Sequence, residues 1–207
     1  MSEVKIGNLV VFDNYDSFTY NLVHYLENLT GQSPKVVLND DPNWERCLTA
    51  DALLISPGPG LPLESGALMT LLHAWESTKP LLGICLGMQA MGQIAGENLI
   101  RLPKPVHGTA HPVYSNSAEP IFEGVDSVFH AGRYHSWGFF ELVSEQYRAI
   151  ASSSDGCIMA IKHVKKPWYG LQFHPESIMT TAGKRLIHNW LNLAGIKNSY
   201  SLSYLLS

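Results

Sequence analysis

Gly83-Ile84-Cys85-Leu86-Gly87 sets one thiol between two glycines, directly after a short apolar run and directly before a helix-like segment. A G-x-C-x-G pattern at a strand-to-helix turn is the thiol form of a nucleophile elbow. The tight turn lifts the central side chain above the sheet edge, and a Cβ at either flanking position would clash. The helix that follows aims its unpaired N–H groups and its dipole at the sulfur, which favours thiolate over thiol. A thiol nucleophile needs a base and a group that orients the base. His174-Pro175-Glu176 offers both, after the apolar run Gly170-Leu171-Gln172-Phe173. In extended chain, residues i and i+2 project to one side, and Pro175 fixes the φ between them. Glu176 can then hold one imidazole nitrogen while the other faces Cys85. Taken alone, the same tripeptide is equally a surface turn. H-x-E also occurs in zinc deaminases, but the P-C-x-x-C they require downstream is absent.

Two further segments have the composition of site-builders. Ser56-Pro57-Gly58-Pro59-Gly60 ends an apolar run. Glycine and proline this dense leave bare, rigid backbone at a sheet edge, where open α/β sheets bind ligands. The N–H groups there form half of an oxyanion hole if the N–H of Leu86, next after the thiol, forms the other half. A phosphate loop is rejected because no G-K-[ST] follows. Arg133-Tyr134-His135-Ser136-Trp137 is a polar and aromatic cluster that reads, in isolation, as a structural loop. His107 and His111 have helical ligand spacing, but Gly108 and Pro112 argue against a helix there, so no metal site is expected. Cys47 and Cys157 lack any elbow context and are expected to be structural.

These residues need a scaffold, and the hydrophobic pattern supplies one. The run 9–12 reads as a buried strand. Asp16 or Ser17 then caps a helix carrying Phe18, Leu22, Tyr25, Leu26 and Leu29, closed by Gly31. Strands at 35–38, 51–55 and 81–84 alternate with helices at 65–77 and 86–95, which predicts an open, mostly parallel sheet covered by helices on both faces. From about 100 to 171 the pattern changes to short strands, among them 125–130, 149–152 and 158–163, expected as an antiparallel extension of that sheet. A helix over 181–193 closes a single α/β domain, 1–197, and 198–207 is a C-terminal tail expected to fray.

Composition bounds the rest. The chain has 207 residues, 45% hydrophobic and 15% charged, with formal net charge -4, which fits a globular, soluble protein. No basic cluster exceeds Lys165-Lys166, so neither nucleic acid nor membrane is an expected partner. No apolar run is long enough for a secretory signal or a membrane span. Three widely spaced cysteines argue against a disulfide framework and for a reducing cytoplasm.

Together the motifs resemble those of the class I, triad-type glutamine amidotransferases. The matching stretches are Asp13-Asn14-Tyr15-Asp16-Ser17-Phe18-Thr19-Tyr20-Asn21, SPGPG at 56–60, GICLGMQA at 83–90, RYHS at 133–136 and QFHPES at 172–177. They stand in the family's order across nearly the whole chain, and the first of them points to the branch that serves chorismate-using synthases. The resemblance implies a triad of Cys85, His174 and Glu176, and an oxyanion hole from the backbone of Gly58 and Leu86. It implies that L-glutamine is held by Gly58, Pro59 and Gly60, by Gln89, and by the main chain at Ser136 and Trp137. Ammonia would pass to a chorismate-binding synthase subunit, with no cofactor in this subunit. The expected partner is anthranilate synthase; aminodeoxychorismate synthase, or service to both, is the alternative. The remaining readings are a γ-glutamyl peptidase-like thiol hydrolase and a binding subunit without catalysis. Met88 stands where this branch often has histidine, and Trp137 where it has an aliphatic residue.

Overall fold

The computed structural model describes residues 7–196, so the expected tail at 198–207 lies outside the described residues. In chain order the elements are β1 (Leu9–Asp13), α1 (Thr19–Thr30), β2 (Lys35–Leu38), β3 (Ala52–Ile55), α2 (Leu68–Ala74), β4 (Leu81–Ile84) and α3 (Leu86–Ile94). There follow β5 (Ile100–Arg101), β6 (Thr109–Ser115), β7 (Val128–Arg133), β8 (Trp137–Gly138), β9 (Tyr147–Ser153), β10 (Ile158–His163), β11 (Trp168–Leu171) and α4 (Gly183–Leu193).

Nine strands form one sheet in the order β2-β1-β3-β4-β11-β10-β9-β6-β7. The first five are parallel, and the ladder turns antiparallel from β11 outward; the change of pattern near residue 100 predicts the antiparallel part, but β11, within the same stretch, returns to pair parallel with β4, and β5 and β8 form a separate ribbon. Strands β1, β3, β4 and β11 are buried along their whole length, which is why they read as continuous apolar runs rather than alternating ones. Their side chains divide by parity between two cores. Val11, Leu54 and Leu82 join Leu22, Leu26, Leu186 and Trp190 under α1 and α4. Val10, Phe12, Leu53, Ile55 and Leu81 join Leu68, Leu71, Leu72 and Met91 under α2 and α3. No helix among the described residues is long and apolar enough to cross a membrane.

Several boundaries differ from expectation, each for a local reason. The helix expected over 65–77 shrinks to α2. Gly66 takes φ +54 with its α-carbon pressed on the Asn39 backbone, so the segment before it forms only a 3-10 turn at Pro62–Glu64. The strand expected at 125–130 begins at Val128, because Val125 still donates to the carbonyl of Phe122 in the preceding turn. Neither Asp16 nor Ser17 caps α1. Its N-cap position is Phe18, and Asp16 Oδ1 accepts from the Phe18 N–H in a tight turn.

Candidate active site

Four parallel strands end at one edge of the sheet, and each delivers a motif there. From β4 the chain enters α3 through Cys85, whose φ of 49° and ψ of −100° are rare for a residue with a side chain. Such a conformation costs about 1–3 kcal/mol and persists only where its surroundings impose it. They do so here: a Cβ on Gly83 would lie 2.6 Å from the Gly87 carbonyl carbon, and one on Gly87 would lie 2.9 Å from the Ile55 carbonyl oxygen. The elbow is therefore locked between its own helix and β3, with the thiol 6% exposed. The first intrahelical bond of α3 runs from Gln89 N–H to Cys85 C=O, so the N–H groups before it, Leu86's among them, are free of helix partners.

The chain leaves β11 at Leu171, earlier than the sequence suggests, and Gln172 to Glu176 run beyond the ladder. His174 bridges to Gly132 on β7. Its Nδ1 lies 2.6 Å from Glu176 Oε1, both side chains being buried. Nε2 is buried and makes no conventional hydrogen bond, and Cys85 is among the groups that act on the ring's charge. Burial disfavours the imidazolium, but the hydrogen bonds and charges of Cys85 and Glu176 prevail and push His174 up to about 10. The rings of Tyr134 and Phe18 stand edge-on to the imidazole at 4.8 and 5.8 Å. Asp16 comes to the same place: one polar atom each of Asp16, His174 and Glu176 lie within 4.8 Å of one another.

The turn is also fixed from behind. The Thr180 hydroxyl donates to the His174 carbonyl, and Gly183 at the start of α4 sits against Pro175. A Cβ on Gly183 would fall 1.8 Å from the Pro175 carbonyl oxygen. Gly183→Ala is accordingly expected to lose about 1–3 kcal/mol of stability by overpacking, read as a lowered urea midpoint. It should also displace His174 from Cys85.

The SPGPG segment follows β3. Asn14, at the end of β1, ties it down twice: its N–H donates to Ser56 Oγ and its side-chain amide to the Ser56 carbonyl. Gly58 is wedged against both neighbours, since a Cβ there would lie 2.5 Å from Asn14 Cβ and 2.8 Å from Leu86 Cδ2. Gly58 and Leu86, the two expected oxyanion donors, are thus in contact. On the far wall, the ribbon of β5 and β8 presents Ser136 and Trp137. A cavity of about 410 Å³ lies between these walls, lined by Gly58, Pro59, Gly60, Cys85, Gln89, Ser136 and Trp137. Every residue expected to hold a substrate lines it. Leu61, Glu64, Tyr134 and His135 line it as well; the sequence pattern marks Tyr134 and His135 only as members of the polar and aromatic cluster at 133–137, and gives Leu61 and Glu64 no role. Trp137 enters the site's bonding through its backbone carbonyl, which accepts from Gln89 Nε2 at 2.9 Å. Met88 is fully buried against Gly170, away from the cavity lining. Cys47 and Cys157 are buried, and burial pushes their thiols up to about 11 and about 12. His111 lies on β6 and bonds to Thr109.

The arrangement brings a thiol to a cavity large enough for an amino acid, with a histidine–carboxylate pair behind the thiol and the glycine-rich turn across from it. Known proteins resemble this chain along most of its length. Anthranilate synthase component 2 of Lactococcus lactis is 44% identical over 187 residues, covering 89% of this chain and 93% of that protein. Anthranilate synthase component 2 of Thermus thermophilus is 41% identical over 191 residues, covering 90% and 93%. Aminodeoxychorismate synthase of Streptomyces griseus is 42% identical over 187 residues, covering 89% of this chain but only 26% of that longer protein. Among solved structures, a GMP synthase-type chain from Thermoplasma acidophilum superposes with a TM-score of 0.78 over 90% of this chain and 92% of its own. At 24% identity that likeness speaks to the fold alone. The family model for class-I glutamine amidotransferases matches residues 10–193, and the chain belongs to that family.

Proposed function

We propose that this chain is the glutaminase subunit of a chorismate-using synthase, with Cys85 as nucleophile, His174 as proton carrier and Glu176 as the group that orients it. The observation that carries the reading is the group Cys85, His174 and Glu176, of which Cys85 opens onto a cavity whose other walls are SPGPG, Gln89 and Ser136-Trp137. Sγ attacks the side-chain carbonyl carbon of L-glutamine, and the C=O electrons move onto oxygen. The N–H groups of Gly58 and Leu86 receive that oxyanion. As it collapses the C–N bond breaks, and His174 gives its proton to the departing ammonia. Water, losing a proton to His174, then cleaves the thioester and releases glutamate. Thiol, imidazole and N–H donors supply every element of this acyl transfer, so it needs no metal or cofactor from this chain.

Ammonia is a useful nucleophile only while unprotonated, which favours delivery within a complex. Tyr15, Tyr20, Leu63 and Ile178 are all strongly exposed beside the site's own loops, Ile178 at 97%. Exposed apolar side chains on loops that adjoin the site suit a protein interface, and we assign these loops to contact with the synthase subunit. The reading places the chain in the cytoplasm, with anthranilate as the partner's product. Two relatives named anthranilate synthase component 2 match over 93% of their own length, which favours it over aminodeoxychorismate. The test is reconstitution with each type of chorismate-using subunit in glutamine and chorismate. Anthranilate, identified chromatographically, is the expected product. Aminodeoxychorismate alone would overturn the partner, and unconsumed glutamine in every mixture would overturn the function.

A further inference from the structure

One hydrogen-bonded network runs from a surface turn to the sulfur, and the groups in it that can only donate or only accept fix its directions. Arg133 is 1% exposed. Its NH1 donates to Asp155 Oδ2 and its Nε to His135 Nε2, both at 3.0 Å. A guanidinium has donors only, so His135 Nε2 must accept. Burial, and next the Arg133 charge, lower His135 to about 4, and the ring is neutral at neutral pH. Its proton is therefore on Nδ1 and is donated to the Trp137 carbonyl at 2.8 Å. That carbonyl also accepts from Gln89 Nε2, whose second hydrogen goes to Gln172 Oε1 at 3.2 Å. The carbonyl end of Gln172 is thereby committed, and its amide end faces Cys85 Sγ at 3.5 Å. Gln172 is fully buried, so no solvent competes for that N–H.

We propose that Gln172 is a further catalytic residue, donating an N–H to Cys85 Sγ in an orientation imposed by Gln89 and the Trp137 carbonyl. The nucleophile then has an N–H donor from Gln172, with His174 beside it to carry the proton. The opposite amide orientation would put a carbonyl oxygen against a developing thiolate. It is excluded by the network, because Gln89 has only hydrogens to offer there. The same accounting leaves Gln89 only its own Oε1 to offer a ligand in the cavity.

The test reads Cys85 directly. The groups around the sulfur that carry or change charge are His174, Glu176 and Asp16 from the loops beyond β11 and β1, Tyr134, His135 and Arg133 from the end of β7, and Glu64 across the cavity. None of them is altered. Gln172→Leu removes the donor. Gln172→Glu keeps size and keeps an acceptor for Gln89 but sets a carboxylate beside the sulfur, and it remains interpretable if the leucine variant folds poorly. The full-length chain is treated with iodoacetamide across pH 5 to 10, and modification of the Cys85 peptide is followed by mass spectrometry. The midpoint of alkylation is expected to move up by about one pH unit in Gln172→Leu, as for loss of one hydrogen bond to a charged group, and further in Gln172→Glu. With glutamine, kcat at pH 7 should fall about tenfold, recover toward the parent as pH rises, and leave KM nearly unchanged. Superimposable alkylation profiles in parent and Gln172→Glu would overturn the proposal, as would a kcat loss that pH does not rescue. The kinetic arm rests on the glutaminase reading. The alkylation arm needs no glutamine, and a parent without glutaminase activity would sink that reading while leaving the alkylation result to stand or fall alone.

Discussion

Cys85→Ser should abolish glutamine-dependent synthesis, with the glutaminase step falling about 10⁴-fold or more, while the synthase partner keeps its activity with free ammonia. The loss is large because a serine hydroxyl is far harder to ionise than a thiol, and because nucleophile and base act as one unit. The fold should survive. Serine is smaller than cysteine, and the strained φ of 49° at this position is imposed by Gly83, Gly87 and the Ile55 backbone rather than by the sulfur. Retained ammonia-dependent synthesis controls for folding and for docking together. Cys47→Ser and Cys157→Ser serve as comparisons: both thiols are buried, pushed up to about 11 and about 12, and should leave glutaminase activity within a few-fold of the parent. Full glutaminase activity in the Cys85 variant would remove the nucleophile from the proposed mechanism.

How the sequence announced Cys85 explains what else it could announce. The elbow is legible because its requirement is local: two glycines, one thiol and a strand-to-helix change lie within a few residues, and the structure places all of them as expected. The His-Pro-Glu pairing is legible locally too, but not by the route expected: Pro175 and Glu176 form a turn closed by the Ser177 N–H on the His174 carbonyl, not extended chain. The parallel half of the sheet follows from whole runs of apolar residues, which only fully buried strands can accommodate. Relations between distant segments are not written this way. Asp16 looked like a helix cap, since short acidic residues before apolar periodicity usually are. It forms a turn with Phe18 instead, and the fold carries it to within 4.8 Å of His174 and Glu176. Arg133 reads as part of a polar loop because its place at the buried end of β7 and its partner Asp155, 22 residues on in the turn after β9, are set by the fold. Gln172 is the intermediate case. It belongs to the QFHPES stretch that carries His174 and Glu176, but the chain bends there after β11, and only the structure shows its amide against the sulfur.

Glu176→Gln should lower glutaminase kcat by on the order of 10²–10⁴-fold, by analogy with the orienting carboxylate of hydroxyl triads, and the size of the loss should depend on pH in a defined direction. Burial of His174 opposes its charge, and Cys85 and Glu176 together overcome that opposition to hold it up to about 10, above its usual 6.5. The proposed cycle needs the imidazolium to protonate departing ammonia, so the alkaline limb of the parent should lie well above neutrality. A neutral amide at 176 keeps the bond to Nδ1 geometrically possible but removes the charge, and it can present an N–H to the imidazole in place of an acceptor. The imidazolium is then lost at lower pH, and the ratio of variant to parent activity should worsen between pH 6.5 and pH 9. Stability carries the same sign. A folded-state value raised above the unfolded one contributes stability that is fully present below about 6.5 and is lost as pH rises through about 10. The parent should therefore lose more urea resistance between pH 6.5 and pH 9 than the variant does. An activity ratio constant across that window, with parallel stability profiles, would mean that Glu176 holds the ring in place without holding its charge.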